Sequence, residues 1–145
     1  MSNTVRFQPS DAPLSQQINY GERAQRLLEE ANALAVILTS TDGLLVGAHH
    51  GADRDEAEKV AALGAVQNSS AMTLAQLFSS TEGTSKVRQL TLEREDDGFV
   101  ILTPVGPGMT VAVFTKPRPD LAAAAYEIAK FAQWFAPEVA DRAEA

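Results

Sequence analysis

The chain has 145 residues, enough for one domain with a hydrophobic core and too few for two ordinary ones. At 45% hydrophobic and 21% charged it falls in the globular range, which excludes a disordered chain. A formal net charge of −7 argues against nucleic acid and anionic lipid as partners, and the lack of cysteine removes disulfides, thiolate nucleophiles and the common zinc sites.

Residues 1–18 are polar, carry Pro9 and Pro13, and show no period; they are expected to form a flexible N-terminal arm. No segment reads as a signal peptide or reaches the length of a membrane span, so the expected location is cytoplasmic, with no direct membrane insertion. Asn19 and Glu22 have capping-box spacing, and Ala24, Leu27, Leu28 and Ala31 follow at helical intervals. A short amphipathic helix is therefore predicted over 20–31.

The apolar run ALAVILTS, the turn Thr41-Asp42-Gly43 and the run LLVGA together predict a β-hairpin, with Gly43 supplying the positive φ. Asp53 and Glu56 make a second capping box, opening a long helix predicted from Asp53 to Ser79. The acids Asp53, Asp55 and Glu56 in its first turn suit the positive end of the helix dipole and need no catalytic explanation. Beyond Ser85, the runs VRQLTLERE, FVILTPV and MTVAVFT are separated by Asp96-Asp97-Gly98 and Gly106-Pro107-Gly108, which predicts a three-stranded meander. Asp120 then introduces a final helix, in which Leu121, Ala124, Ala125, Ile128, Phe131, Ala132 and Phe135 recur at helical spacing. Residues 138–145 are expected to fray as a C-terminal tail, leaving 19–137 as the domain.

The order α-β-β-α-β-β-β-α belongs to the α/β (α+β) class. The strands around Val36, Ile101 and Val111 are apolar almost continuously, which means that both sheet faces are covered. The expected architecture is a three-layer α/β/α sandwich on a five-stranded antiparallel sheet, with the first and last helices on one face and the long helix on the other.

From Val60 to Thr81 the long helix carries no charged residue. Ala57, Val60, Gly64, Ala71, Ala75 and Phe78 share one face, and Leu63, Val66, Ser70, Leu74 and Leu77 widen the stripe. A helix so poor in charge is usually covered on more than one side, and the chain has no spare element to do it. A second copy is the expected cover. The candidate dimer contacts are Ala57, Ala61, Gly64 and Ala65 on the helix, with Val87, Gln89 and Thr91 on the third strand pairing edge to edge.

The chemical candidates are weak. His49 and His50 are adjacent, so at a strand end their side chains point to opposite faces, and they mark the junction of hairpin and helix. "GTSK" at Gly83–Lys86 lacks the first glycine of a phosphate-binding loop, and "EREDDG" at Glu93–Gly98 lacks calcium-loop spacing. Arg54 and Arg88 lie near the expected interface and are candidates for donation in trans to a partner's phosphoryl chemistry. The expectation is a non-enzyme with no catalytic residue, metal or cofactor.

The ordered series "TSTDGLLVGA", "EAEKVAALGAVQNSSAMTLAQLF", "KVRQLTLERE" and "GFVILTPVGPGMTVAVFT", followed by a helix with Tyr126, resembles the Roadblock family, of dynein light-chain roadblock type with bacterial relatives. The resemblance covers about Asn19 to Pro137. It implies a homodimer through the long helix and third strand, acting on a small Ras-like GTPase as an activator or scaffold in a bacterial signalling or polarity complex. By position, Gln67, Ser70, Thr73 and Leu74 would face that partner. A structural adaptor without effect on GTP turnover and a small-molecule-sensing domain are the alternatives. On the self-association reading, Gly64→Glu is expected to yield a monomer or an insoluble chain in size-exclusion chromatography. An unaltered dimer would contradict it.

Overall fold

The computed structural model describes residues 14–80, 85–105 and 108–144. It contains α1 (Leu14–Glu30), β1 (Ala33–Ser40), β2 (Leu45–His50), α2 (Arg54–Ala75), β3 (Leu90–Arg94), β4 (Gly98–Pro104), β5 (Met109–Thr115) and α3 (Leu121–Glu144). The strands form one antiparallel sheet in the order β2-β1-β5-β4-β3. The expected element order and three-layer sandwich are both observed.

Each layer follows from which side of a strand an apolar residue occupies. On one face, Val36 and Leu38 of β1 and Val111 and Val113 of β5 pack with Ala24 and Leu27 of α1 and Ala124 and Ile128 of α3. On the other face, Ala35, Ile37, Leu102 and Ala112 meet Ala57 of α2. The period-2 alternation of the strands is thus apolar on both sides, as their composition required.

The local signals account for most boundaries. At the first hairpin, Gly43 has φ +92, Ser40 N–H donates to the Leu44 carbonyl at 2.8 Å, and the Leu44 N–H donates to Ser40 Oγ at 3.1 Å. The α2 capping box is complete, with Glu56 N–H donating to Asp53 Oδ1 at 2.8 Å and Asp53 N–H donating to Glu56 Oε1 at 3.2 Å. Asp120 caps α3 through its Oδ1, which accepts from the Ala123 N–H at 3.1 Å.

Four boundaries differ from the sequence reading. The first helix starts at Leu14, inside the segment expected to be an arm, so Asn19 and Glu22 lie within it and form no N-terminal box. Leu14 and Ile18 stand four apart and carry the apolar spacing upstream of that motif. Residues 1–13 lie outside the described residues. The long helix stops at Ala75 rather than Ser79, and the backbone then turns through Phe78 at φ +57. The third strand is five residues, not the nine expected from Val87 to Glu95. Its register explains this: Leu90 pairs with Leu102, so Arg88 would fall opposite Pro104, which has no N–H to donate. The last helix runs on to Glu144 through the Ala-rich stretch expected to fray.

Two glycines test the local backbone, one in a turn and one in a helix. Gly98 has φ +86, and a Cβ there would lie 2.4 Å from the Lys116 carbonyl oxygen. Gly21 sits in α1 with nothing within 4 Å of a Cβ. Gly98→Ala is expected to lower stability by about 1–3 kcal/mol. Gly21→Ala is expected to raise it by roughly 0.5–1 kcal/mol. Urea midpoints at unchanged m-value would report both, and a neutral Gly98→Ala would contradict the turn geometry.

Candidate functional site

The face of α2 that meets the sheet is made of its smallest residues. Ala57 and Ala61 are fully buried and Gly64 is buried beside them. Asn68, on the same side, donates from Nδ2 to Thr110 Oγ1 of β5 at 3.1 Å. Ala65 Cβ lies 3.5 Å from where a Cβ on Gly43 would stand, so Ala65 packs over the first hairpin turn. Of the helix residues expected at a dimer contact, Ala57 and Ala61 therefore have no surface left for another chain. Gly64 borders an open groove, and Ala65 is half-buried against its own fold.

The opposite face of α2 carries the large apolar side chains. Leu63, Val66 and Leu74 are 59%, 60% and 68% exposed, and just past the end of the helix Leu77 is 60% exposed and Phe78 projects entirely. Fully burying one such side chain contributes about 1.5–3 kcal/mol, so leaving four of them in water forgoes several kcal/mol. Gln67, Ser70 and Thr73, the remaining positions expected to face a partner, are all exposed between them. Thr73 Oγ1 donates back to the Ser69 carbonyl at 3.2 Å, and no charged residue stands between Val60 and Ser80.

Beside α2 the sheet is uncovered. A groove of ≈ 370 Å³ runs between Val60, Leu63, Gly64 and Gln67 of the helix and the strands β3, β4 and β5. Its floor is Leu90, Leu92, Val100, Leu102 and Phe114, all on the α2 side of the sheet. Arg94 stands over the Phe114 ring, its guanidinium carbon 5.7 Å from the ring centre and Nη2 donating to the Asp97 carbonyl at 2.7 Å. The strand bordering the groove, β3, is the last in the sheet, so its outer edge has no strand partner among the described residues. Thr91 lies in that strand. Val87 and Gln89 precede it, in a segment tied to the end of α2 by Gln76 Nε2, which donates to the Ser85 carbonyl at 2.6 Å.

Leu92 and the groove floor were not visible as a site in the sequence, although Leu90 and Leu92 stand at the two-residue spacing of one strand face. Long apolar side chains on β3 could have signalled that its α2 side is wet only in a lone chain.

The other chemical candidates resolve into structure. His49 Nδ1 lies 3.1 Å from the Ala52 carbonyl and closes the turn ahead of the α2 cap, and His50 sits opposite Val36 in the β1–β2 ladder. Arg54 is held by Glu58 one turn on, Nε to Oε2 at 3.0 Å. Arg88 is exposed just before β3. The Gly83–Thr84 part of "GTSK" lies outside the described residues. On the far side of the molecule, the cleft between α1 and α3 is charged, lined by Arg23, Arg26, Glu30, Glu127 and Lys130. There Lys130 Nζ is 3.0 Å from Glu127 Oε1, and that hydrogen bond and charge raise the ammonium above its usual pKa. The two faces differ sharply: one is solvated by ions, the other is neutral and apolar.

Comparison with known proteins places this architecture. A Roadblock/LC7 domain from Streptomyces avermitilis shares 26% identity, covering 82% of this chain and 96% of its own, with a TM-score of 0.73. Myxococcus xanthus MglB is 20% identical, covering 90% of this chain and 95% of its own, at a TM-score of 0.77. The gliding protein MglB from Thermus thermophilus is 17% identical, covering 85% of this chain and 87% of its own, at a TM-score of 0.69. The two MglB structures speak for the fold alone. No curated protein sequence matches. The family described as Roadblock/LC7 domain matches residues 20–115, from the middle of α1 to the last residue of β5, and the chain belongs to that family.

Proposed function

We propose that this protein is a homodimer that regulates a small Ras-like GTPase, as activator or scaffold, in a bacterial signalling or polarity complex, without catalysing covalent chemistry itself. The observation that carries this reading is the neutral, apolar outer face of α2 beside a β3 edge that has no strand partner among the described residues. Roadblock proteins characteristically act on such GTPases, and membership of the family supports the partner class.

The two surfaces have different roles. The flank of α2 next to the groove, together with β3, meets the second copy. The outermost positions Ser70 and Thr73 stay accessible and adjoin their counterparts across the two-fold axis, while Gln67, which lines the groove, and Leu74 on the same flank lie toward the second copy. One GTPase seated across that axis then takes two chains. A small-molecule-sensing reading draws on the groove, whose ≈ 370 Å³ lies within the range of ligand pockets. It predicts an apolar ligand retained by the purified protein in native mass spectrometry.

The direct test is single-turnover GTP hydrolysis by the candidate GTPase with increasing amounts of this protein. Acceleration that saturates at two chains per GTPase is expected. Ser70→Glu combined with Thr73→Glu, both at exposed positions, is expected to weaken that effect about tenfold or more, the loss of at least ~1.4 kcal/mol of partner binding. Unchanged turnover would remove the activator reading, and co-purification without acceleration would leave the scaffold.

A further inference from the structure

We infer that Asn68 of α2 and Thr110 of β5 form a pin that positions the outer half of the long helix, and with it the surface offered to the GTPase. The inference rests on the regulator reading and names the residues that aim its surface.

The first half of α2 is held by packing. Ala57, Ala61 and Gly64 are its buried residues, and Ala57 meets Ala35, Ile37, Leu102 and Ala112 of the sheet. None of residues 65–75 is buried. Apolar burial therefore fixes only about the first three turns.

The sheet changes character at the same level. Along the α2 face of β1, Ala35 and Ile37 are followed by Thr39, and along the same face of β5, Ala112 is preceded by Thr110. Thr39 and Thr110 are cross-strand partners, both buried, and Thr39 Oγ1 donates to the Thr110 carbonyl at 3.4 Å. On the helix, Ala57, Ala61, Gly64 and Asn68 recur at i, i+4, i+7 and i+11, so Asn68 continues the inward stripe and arrives over this hydroxyl pair. Its Nδ2 donates to Thr110 Oγ1 at 3.1 Å. Among the described residues no other side-chain hydrogen bond joins α2 to a strand. A buried hydroxyl is costly without a partner, so this site favours an amide where the turns before it favour methyl groups.

The pin holds the part of α2 that carries Ser70 and Thr73. At 100° per residue these stand about 200° and 140° round the helix from Asn68, so one side of the same two turns is anchored and the other is presented. A lift or rotation about Asn68 is carried directly to them. The next tether is Gln76, whose Nε2 donates to the Ser85 carbonyl at 2.6 Å, and Ser85 lies in the connection to β3 rather than in the sheet. Polar contacts, and not a packed core, thus set the tilt of this half, which is the condition for opening locally at low cost.

Thr110→Val keeps the side-chain shape and removes the acceptor, Asn68→Ala removes the donor, and Thr110→Ser keeps the hydroxyl. In the full chain, Thr110→Val and Asn68→Ala are expected to speed hydrogen exchange of the amides of residues 69–75 about three- to tenfold, the effect of losing one hydrogen bond. Residues 58–64 are expected to keep their rate, and Thr110→Ser to behave as the parent. Faster exchange along the whole of α2, or unchanged exchange in both variants, overturns the pin. Adding the GTPase reads the positioning. The amount of Thr110→Val protein needed for half-maximal acceleration is expected to rise by a similar factor at an unchanged mass, and Thr110→Ser to restore it. Faster exchange with an unaltered GTPase response overturns the positioning role. A parent protein that neither binds nor accelerates the GTPase overturns the regulator reading and the positioning with it, while the exchange pattern still decides the pin.

Discussion

One helix cannot cover five strands. Adjacent strands lie roughly 4.8 Å apart, so this sheet is on the order of 20 Å across, while a helix with its side chains is about 10 Å wide. On one face the chain solves this with two helices, α1 and α3, which pack against each other and against the central strands. On the other face it has only α2, and α2 lies over β1 and β2. The β3–β4–β5 half of that face keeps Leu90, Leu92, Val100 and Phe114 in an open groove, with the Arg94 guanidinium over the Phe114 ring.

The composition of α2 follows from that asymmetry. Its inner face must come close to the sheet, and Ala57 and Ala61 allow it. Its outer face would normally carry Lys and Glu; instead Leu63, Val66 and Leu74 alternate with Gln67, Ser70 and Thr73. The first turns alone are charged, with Arg54, Asp55, Glu56, Glu58 and Lys59 all N-terminal to the exposed Leu63, Val66 and Leu74. The α1–α3 cleft, by contrast, is ringed by charged side chains, as a surface meant for water should be. Charge is withdrawn only where the sheet is incomplete, which ties the missing cover and the partner surface to a single cause.

Much of this was legible in the sequence, because it is encoded locally. The Asp-Gly hairpin, the Asp53–Glu56 box and the period of α3 each depend on a few neighbouring residues, and each is where its signal places it. The charge-free run of α2 likewise marked the right helix. What could not be read was which way that helix is turned. Ala57 and Leu63 both belong to the broad apolar stripe, and only packing decides that the small residue goes inward and the large one outward. The length of β3 was hidden for a similar reason, since its limit is set by Pro104 on a different strand. Asn19 and Glu22 show the converse case: a capping motif is silent when the residues before it continue the helix. The groove, built from α2 and three strands far apart in sequence, had no local signature at all.

The central physical claim is that a second copy completes the uncovered half of the sheet. Its most direct measurement is the mass of the full chain by sedimentation equilibrium at micromolar concentration. A mass twice the 15.5 kDa of one chain is the expected result. A stable, soluble 15.5 kDa species across that range would contradict it.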